Sequence, residues 1–239
     1  MLDEFIDRVA EIRRHQDAVN LSKSLVGRLV EELPRPSLML ITVDEHVNKA
    51  VASMVLRNLA RGALRDGRAV HYISGRDCSL ETFAACLATD EGARSAIARE
   101  PLPCEAAERE ANRHIVGDAA AGHLKVTDMT DDLADDLTWA SVCGPPADLM
   151  LWDDVSSIKA GLRAKDVPVD CTPVVLRRLS RERRSVLIAT VDITQEDLGP
   201  WERECDQMLQ LTAIPPGSKR RVVRLTDGGA THVQVPMRL

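Results

Sequence analysis

Leu38-Met-Leu-Ile-Thr-Val43, followed at once by Asp44-Glu-His-Val-Asn-Lys49-Ala50, is the stretch that decides the fold. The first segment is a short apolar run, as expected of a strand buried on both faces. A helix then begins near Asn48, with apolar positions at Val51, Val55, Leu59 and Ala63. Strand, tight loop, lysine and helix is the layout of the phosphate-binding loop G-x-x-x-x-G-K-[ST]. Aligned on that pattern, Val43 and Asn48 stand in place of the two glycines, and Ala50 in place of the hydroxyl that would hold magnesium. Only Lys49 matches. Asp44 and Glu45 would repel a triphosphate.

Working outward, strands alternate with helices. The pattern predicts a strand over 69–74 after an Asp66-Gly67 turn, and a helix from Leu80 to Ala88 capped by Ser79. Two short helices broken at Pro101 and Pro103 follow within 91–121, then a strand over 124–127 and a helix from Thr130 to Ser141. The run Asp148-Leu-Met-Leu-Trp-Asp153 is a strand ending in two aspartates, Asp153 and Asp154, and 156–169 reads as a polar connection. A helix over about 172–184 has Pro173 in its first turn and arginines at its C-terminus. Strands over 185–191 and 207–211 follow, with a short helix before Pro200–Glu204 between them. A hairpin pairs 221–225 with 231–236 across Asp227-Gly228-Gly229. This order implies an α/β fold with a mostly parallel sheet, flanking helices and a C-terminal β-hairpin.

Ahead of it, residues 2–33 read as helix in two pieces. Leu2, Phe5, Val9 and Ile12 form one stripe and Leu25, Leu29 and Leu33 another, with Pro34 and Pro36 ending the run. The expected division is an N-terminal helical arm over 1–36 and an α/β domain over 37–239. The arm's stripe, Phe5, Val9, Ile12, Leu25 and Leu29, is the candidate assembly surface.

Composition narrows the function classes. Hydrophobic residues make up 44% of the 239-residue chain, enough for a sizeable core, and aromatics only 3%, so surfaces for stacking bases are scarce. A formal charge of −6 argues against binding nucleic acid through the whole surface and leaves room for local basic patches. The six cysteines never form C-x-x-C, which argues against a zinc site. The N-terminus is acidic, unlike a signal peptide, and no apolar run approaches the roughly 20 residues a membrane helix needs. A cytoplasmic protein without a membrane partner is expected. His46, His71, His114, His123 and His232 have no Ser or Cys at triad-like positions.

The order and spacing of these elements resemble the C-terminal RecA-like domain of DnaB-type replicative helicases, from about Leu33 to the C-terminus. Glu32-Leu-Pro-Arg-Pro-Ser-Leu-Met-Leu-Ile is similar to the segment entering that family's first core strand. Gly67-Arg-Ala-Val-His-Tyr-Ile-Ser with Ser79-Leu-Glu-Thr-Phe is similar to the second strand and its helix. Asp148-Leu-Met-Leu-Trp-Asp-Asp-Val resembles the Walker B strand. Ser185-Val-Leu-Ile-Ala-Thr-Val-Asp resembles the strand ending in the Ser-Gln sensor. Glu204-Cys-Asp-Gln-Met-Leu-Gln-Leu is similar to the strand beyond it.

The resemblance implies a nucleotide site, and the departures from the family imply that it is vestigial. Lys49 and Asp153 remain. Asp77 stands near the place of the glutamate that activates water, beside Arg76, and Asp192 stands in place of the sensor glutamine. Thr226-Asp227-Gly228 lies where the finger Lys and Arg should be. Lys49 has two readings, a phosphate ligand or a solvated residue at a helix start. Asp153 and Asp154 either hold a metal weakly or are idle inheritance.

Two basic groups, Arg177, Arg178, Arg181, Arg183 and Arg184, and Lys219, Arg220, Arg221 and Arg224, are candidate DNA contacts or ordinary solvated faces. The expectation is a non-catalytic protein with no cofactor and no metal. It would bind itself or another RecA-like partner, with DNA as a further candidate, in DNA replication, recombination, or plasmid or phage maintenance. A weak NTPase retaining Lys49 and Asp153, and a DNA-binding module using the arginines, are the alternatives.

Overall fold

The structure, a computed structural model, describes residues 17–76, 78–98, 104–129, 146–164, 171–213, 223–228 and 232–235. Two strands come first, β1 (Ala18–Asn20) and β2 (Glu32–Pro34). They are followed by β3 (Ser37–Val43), α1 (Lys49–Arg65), β4 (Val70–Ser74), α2 (Leu80–Ala98), α3 (Cys104–Ala120) and β5 (Leu124–Asp128). Next come β6 (Leu149–Asp153), α4 (Val155–Ala164), α5 (Pro173–Arg183), β7 (Val186–Asp192), α6 (Leu198–Glu204), β8 (Gln207–Ala213), β9 (Val223–Thr226) and β10 (His232–Val235).

Eight of the strands form one sheet in the order β10-β9-β8-β3-β7-β6-β4-β5. β8, β3, β7, β6, β4 and β5 are parallel, and the β9–β10 hairpin adds to the β8 edge antiparallel. β3 sits inside the sheet between β7 and β8, and all seven of its residues are buried, as its unbroken apolar run requires. Side chains along each strand alternate between two cores. Met39, Ile41, Leu149, Leu151, Val186 and Ile188 face the layer holding α1, α2 and α3. Leu38, Leu40, Met150, Trp152, Leu187 and Ala189 face the layer holding α4, α5 and α6. The result is a three-layer α/β/α domain with a mostly parallel central sheet.

Local sequence signals account for several boundaries. Asn48 caps α1 by accepting from the Ala50 N–H at 2.9 Å. Gly67, at φ 69°, turns the chain after α1 while the Arg68 N–H reaches the Ala63 carbonyl at 3.0 Å. Thr172 caps α5, with Pro173 in its first turn.

Two expectations are corrected. Residues 18–34 are not helical: β1 and β2 pair antiparallel around a 3₁₀ turn over Val26–Arg28. Asn20 and Ser24 explain why. Asn20 Oδ1 accepts from the Ser22 N–H (2.8 Å), and Ser24 Oγ donates to the Leu21 carbonyl (2.7 Å), so side chains supply turns that compete with helix. A Cβ at Gly27 would come within 2.2 Å of the Leu21 carbonyl oxygen, so the turn closes only on glycine. Val19, Leu21, Val26 and Leu33 are buried in the main core, and Leu25 and Leu29 pack against it. Leu25 and Leu29 therefore cover their own domain rather than forming a detached stripe, and the arm does not extend to residue 36. Phe5, Val9 and Ile12 lie outside the described residues.

The second correction concerns the polar connection at 156–169, whose first part is α4. Val155, Ile158 and Leu162 recur on one face and are fully buried. The predicted helix over 130–141 lies outside the described residues. Among those described, no helix is long and apolar enough to cross a membrane.

Candidate functional site

The parallel register brings the carboxyl ends of four strands to one edge, where ligands of such sheets bind. Val43 of β3 pairs with Asp192 of β7, and Ser74 of β4 pairs with Asp153 of β6. Lys49, the first residue of α1, stands above this edge.

The loop between β3 and α1 is held by its own groups and by β8. The Asp44 N–H donates to the Leu211 carbonyl (3.0 Å) and the Val47 N–H to the Asp44 carbonyl (2.9 Å). The Asp44 carboxylate accepts from the His46 N–H at 3.3 Å, and the Val47 side chain is buried in the core. A phosphate cradle needs such N–H groups turned toward the ligand. Here Asp44 takes the His46 and Val47 N–H groups and Asn48 takes the Ala50 N–H.

The charges at the edge form an alternating chain. Lys49 Nζ lies 2.9 Å from Asp192 Oδ2 and 4.0 Å from Asp154 Oδ2. Asp154 is also ion-paired to Arg76. The Asp154 Oδ1 accepts from the Ser157 N–H at 2.7 Å, which makes this aspartate the cap of α4. Burial works against the charged form of Asp154. The Ser157 N–H, Arg76 and Lys49 outweigh it and hold the carboxyl below its ordinary value. Asp192 behaves likewise: Thr194 and Lys49 overcome burial and lower its pKa. Thr194 donates to Asp192 Oδ1 from both its N–H (2.9 Å) and its hydroxyl (2.7 Å).

Asp153 differs from its neighbour. It is buried, accepts from the Tyr72 hydroxyl, and its Oδ1 has no hydrogen-bond partner among the described residues. Burial raises its pKa despite the Ser53 and Tyr72 hydroxyls and Arg76 nearby. Burial, reinforced by Asp153, also raises the Tyr72 phenol well above its ordinary value. The Cys78 thiol is pushed up to about 12, by burial first and Asp153 next. It stays protonated at neutral pH and is a poor nucleophile. Among the described residues, no group of three or more His, Cys, Asp or Glu is placed to hold a metal ion.

The structure thus brings together Lys49, Asp153 and Asp192 from the sequence-predicted set, with Asp154 as the hub. Asp77 lies outside the described residues. Tyr72, Ser157 and Thr194 were not anticipated. Thr194, two residues after Asp192, is the one with a sequence signal, since a threonine there readily closes a local turn on the aspartate.

The arginines lie elsewhere. α5 ends where β7 begins, so Arg177, Arg178, Arg181, Arg183 and Arg184 sit toward the opposite end of the sheet from Lys49. Arg177 forms a bidentate pair with Asp206, one arm at 2.7 Å. Arg178 pairs with Glu182 at 2.6 Å and Arg184 with Asp17 at 3.8 Å. Arg181 is exposed, as is Arg224 on β9. Lys219, Arg220 and Arg221 lie outside the described residues.

No protein-family model matches the chain, and no curated protein matches it in sequence. Solved structures do. The flagellar accessory protein FlaH from Methanocaldococcus jannaschii is 15% identical, with 87% of this chain and 85% of that chain covered and a TM-score of 0.58. A KaiC-like protein from Pyrococcus horikoshii is 11% identical over 92% and 91%, with a TM-score of 0.53. A further solved ATPase domain is 13% identical over 98% and 94%, also with a TM-score of 0.53. Identities this low establish fold, not activity. The chain has the RecA-like α/β fold.

Proposed function

We propose that this is a non-catalytic RecA-like protein related to DnaB-type helicase motors. It acts by binding a protein partner, itself or another RecA-like chain, in DNA replication, recombination, or plasmid or phage maintenance. One observation carries the non-catalytic reading: Lys49, the retained lysine of the loop, is paired with Asp192 at 2.9 Å rather than left to face a ligand. Two features support it. Two of the loop's N–H groups, those of His46 and Ala50, are taken by the side chains of Asp44 and Asn48. The edge also carries carboxylates at 154 and 192 whose lowered pKa values keep them charged. Phosphoryl transfer depends on cradle, metal and charge-stabilising groups acting together, so one lysine rescues little.

The role in DNA transactions rests on the order of sequence segments shared with the DnaB-type domain. Titration calorimetry with magnesium-ATP, together with native mass measurement with and without ATP and DNA, tests the reading. Absence of a nucleotide heat and a nucleotide-independent assembled mass are expected. Saturable micromolar ATP binding, or a monomer under every condition, would overturn it.

A further inference from the structure

The Lys49–Asp192 contact is better built than a surface ion pair. Asp192 is the last residue of β7 and pairs in register with Val43, the last residue before the loop. The Ile193 N–H also donates to the Val43 carbonyl at 3.2 Å, so the aspartate is held at the mouth between β3 and α1. Thr194 clamps Oδ1 with two hydrogen bonds (2.9 and 2.7 Å), which leaves Oδ2 for Lys49. The lysine is also the first residue of a 17-residue helix, so the positive end of the helix dipole adds to its charge. The side chain of Lys49 is 37% exposed, so a dissolved anion can approach it. The other nearby carboxylate, Asp154, is 4.0 Å from Lys49 and is engaged by Arg76 and Ser157.

We propose that the Asp192 carboxylate is a built-in anion that fills the phosphate position beside Lys49, so that the chain itself closes the site against phosphate-bearing ligands. This rests on the reading above that the wild-type site takes no nucleotide, and it names what closes the site. Two physical effects act together. A tethered carboxylate competes at an effective concentration above that of millimolar solution anions. Its charge also repels any second anion brought to the same lysine. Because interactions with Thr194 and Lys49 keep the carboxyl ionised into the acid range, the closure does not open near neutral pH.

The test is Asp192→Asn in the full chain, probed with inorganic pyrophosphate and with inorganic phosphate by thermal shift and titration calorimetry. Sodium chloride matches the ionic strength. The amide oxygen can still accept both Thr194 hydrogen bonds, so the turn is kept while the charge is lost. Pyrophosphate should bind the variant at least about tenfold tighter than wild type and raise its melting temperature. Lys49→Ala in the Asp192→Asn background should abolish the gain. Glu182→Gln, which removes the same charge far from Lys49, should give none. Asp192→Ser serves if the asparagine variant does not fold.

A folded Asp192→Asn or Asp192→Ser protein as blind to pyrophosphate as wild type would overturn the proposal. So would a gain that survives Lys49→Ala. ATP turnover by the wild-type protein would sink the non-catalytic reading. A pyrophosphate-blind Asp192 variant would sink only the built-in anion.

Discussion

Lys49 Nζ and Asp192 Oδ2 lie 2.9 Å apart, joining the first residue of α1 to the last residue of β7. Through Asp154 and Arg76 the same chain of charges runs on to the ends of β6 and β4. Four elements that would otherwise flank a ligand crevice are thereby tied to one another.

Magnesium-dependent ATP hydrolysis is expected to stay at background in the purified full chain. Phosphate release over hours is the measurement. Lys49→Ala and Asp153→Ala should leave that baseline where it is. Turnover that disappears in both variants would show a working site.

The adjacent aspartates should respond in opposite ways. The Asp154 and Asp192 pKa values are lowered in the folded state, so these groups add stability above the unfolded carboxylate value of about 3.9. That stability is lost as pH falls through their folded values. The Asp153 pKa is raised, so its contribution is present at low pH and fades as pH rises through the folded value. Asp154→Asn should cost about 1–3 kcal/mol at pH 7. Asp153→Asn keeps an acceptor for Tyr72 while removing a carboxyl whose charged form burial disfavours, and should match or exceed wild type. Urea unfolding at pH 7 and in the acid range checks the contrast, which fails if Asp153→Asn is the weaker protein at pH 7.

Gly75 cannot carry a side chain. A Cβ there would lie 2.3 Å from the Ile158 nitrogen and 2.4 Å from the Ser157 carbonyl carbon, both backbone atoms of α4. Gly75→Ala must therefore push α4 away from β4, with an expected loss of about 3 kcal/mol or more. Denaturant unfolding that shows a loss under about 1 kcal/mol would mean that α4 moves freely.

Asp206 holds the entry of β3. Its Oδ2 accepts from the Leu38 N–H at 2.8 Å, and its carboxylate is paired with Arg177. Asp206→Ala strands a donor on a fully buried residue and should cost about 1–3 kcal/mol. Arg177→Ala should cost less, because Leu38 keeps its acceptor. The reverse ranking in a urea series would refute this division of labour.

Truncation should separate the two parts of the N-terminal segment. A chain starting at Asp17 keeps Val19, Leu21, Val26 and Leu33 in the core and should retain the wild-type melting transition. One starting at Pro36 loses all four, each worth about 1.5–3 kcal/mol of burial, and should unfold or aggregate. Circular dichroism and light scattering distinguish the outcomes. If residues 1–16 carry the assembly surface at Phe5, Val9 and Ile12, the chain from Asp17 should also assemble with fewer subunits than the full chain.

The sheet was legible because its signals are local. The runs at 38–43, 148–153 and 185–191 are too short for helices and too apolar for exposed strands, so each declares a strand buried on both faces. Lys49, Asp153 and Asp192 were legible for the same reason, since each ends or follows such a run. The helices were read less evenly. Ser156, Ser157 and Gly161 disguised α4, although Val155, Ile158 and Leu162 carried its stripe. At 18–34 the leucine spacing imitates a helix, while Asn20, Ser24 and Gly27 form turns that bury the same side chains by another route.

By itself, then, the sequence determined the class of fold and the absence of glycine between Val43 and Ala50, because both depend on residue type and local period. Only the tertiary structure decided which group Lys49 pairs with. A lone lysine after a strand is equally compatible with a solvated side chain or a phosphate ligand. Its partner lies on a strand far along the chain, brought alongside by the parallel pairing of β3 with β7. The same holds for the arginines. Composition shows a basic cluster and local spacing the Arg178–Glu182 pair, whereas the fold places the α5 group toward the far end of the sheet and pairs Arg177 and Arg184 with acids distant in sequence. Charge partners are set by which strand ends meet, and that depends on strand order, which no local pattern encodes.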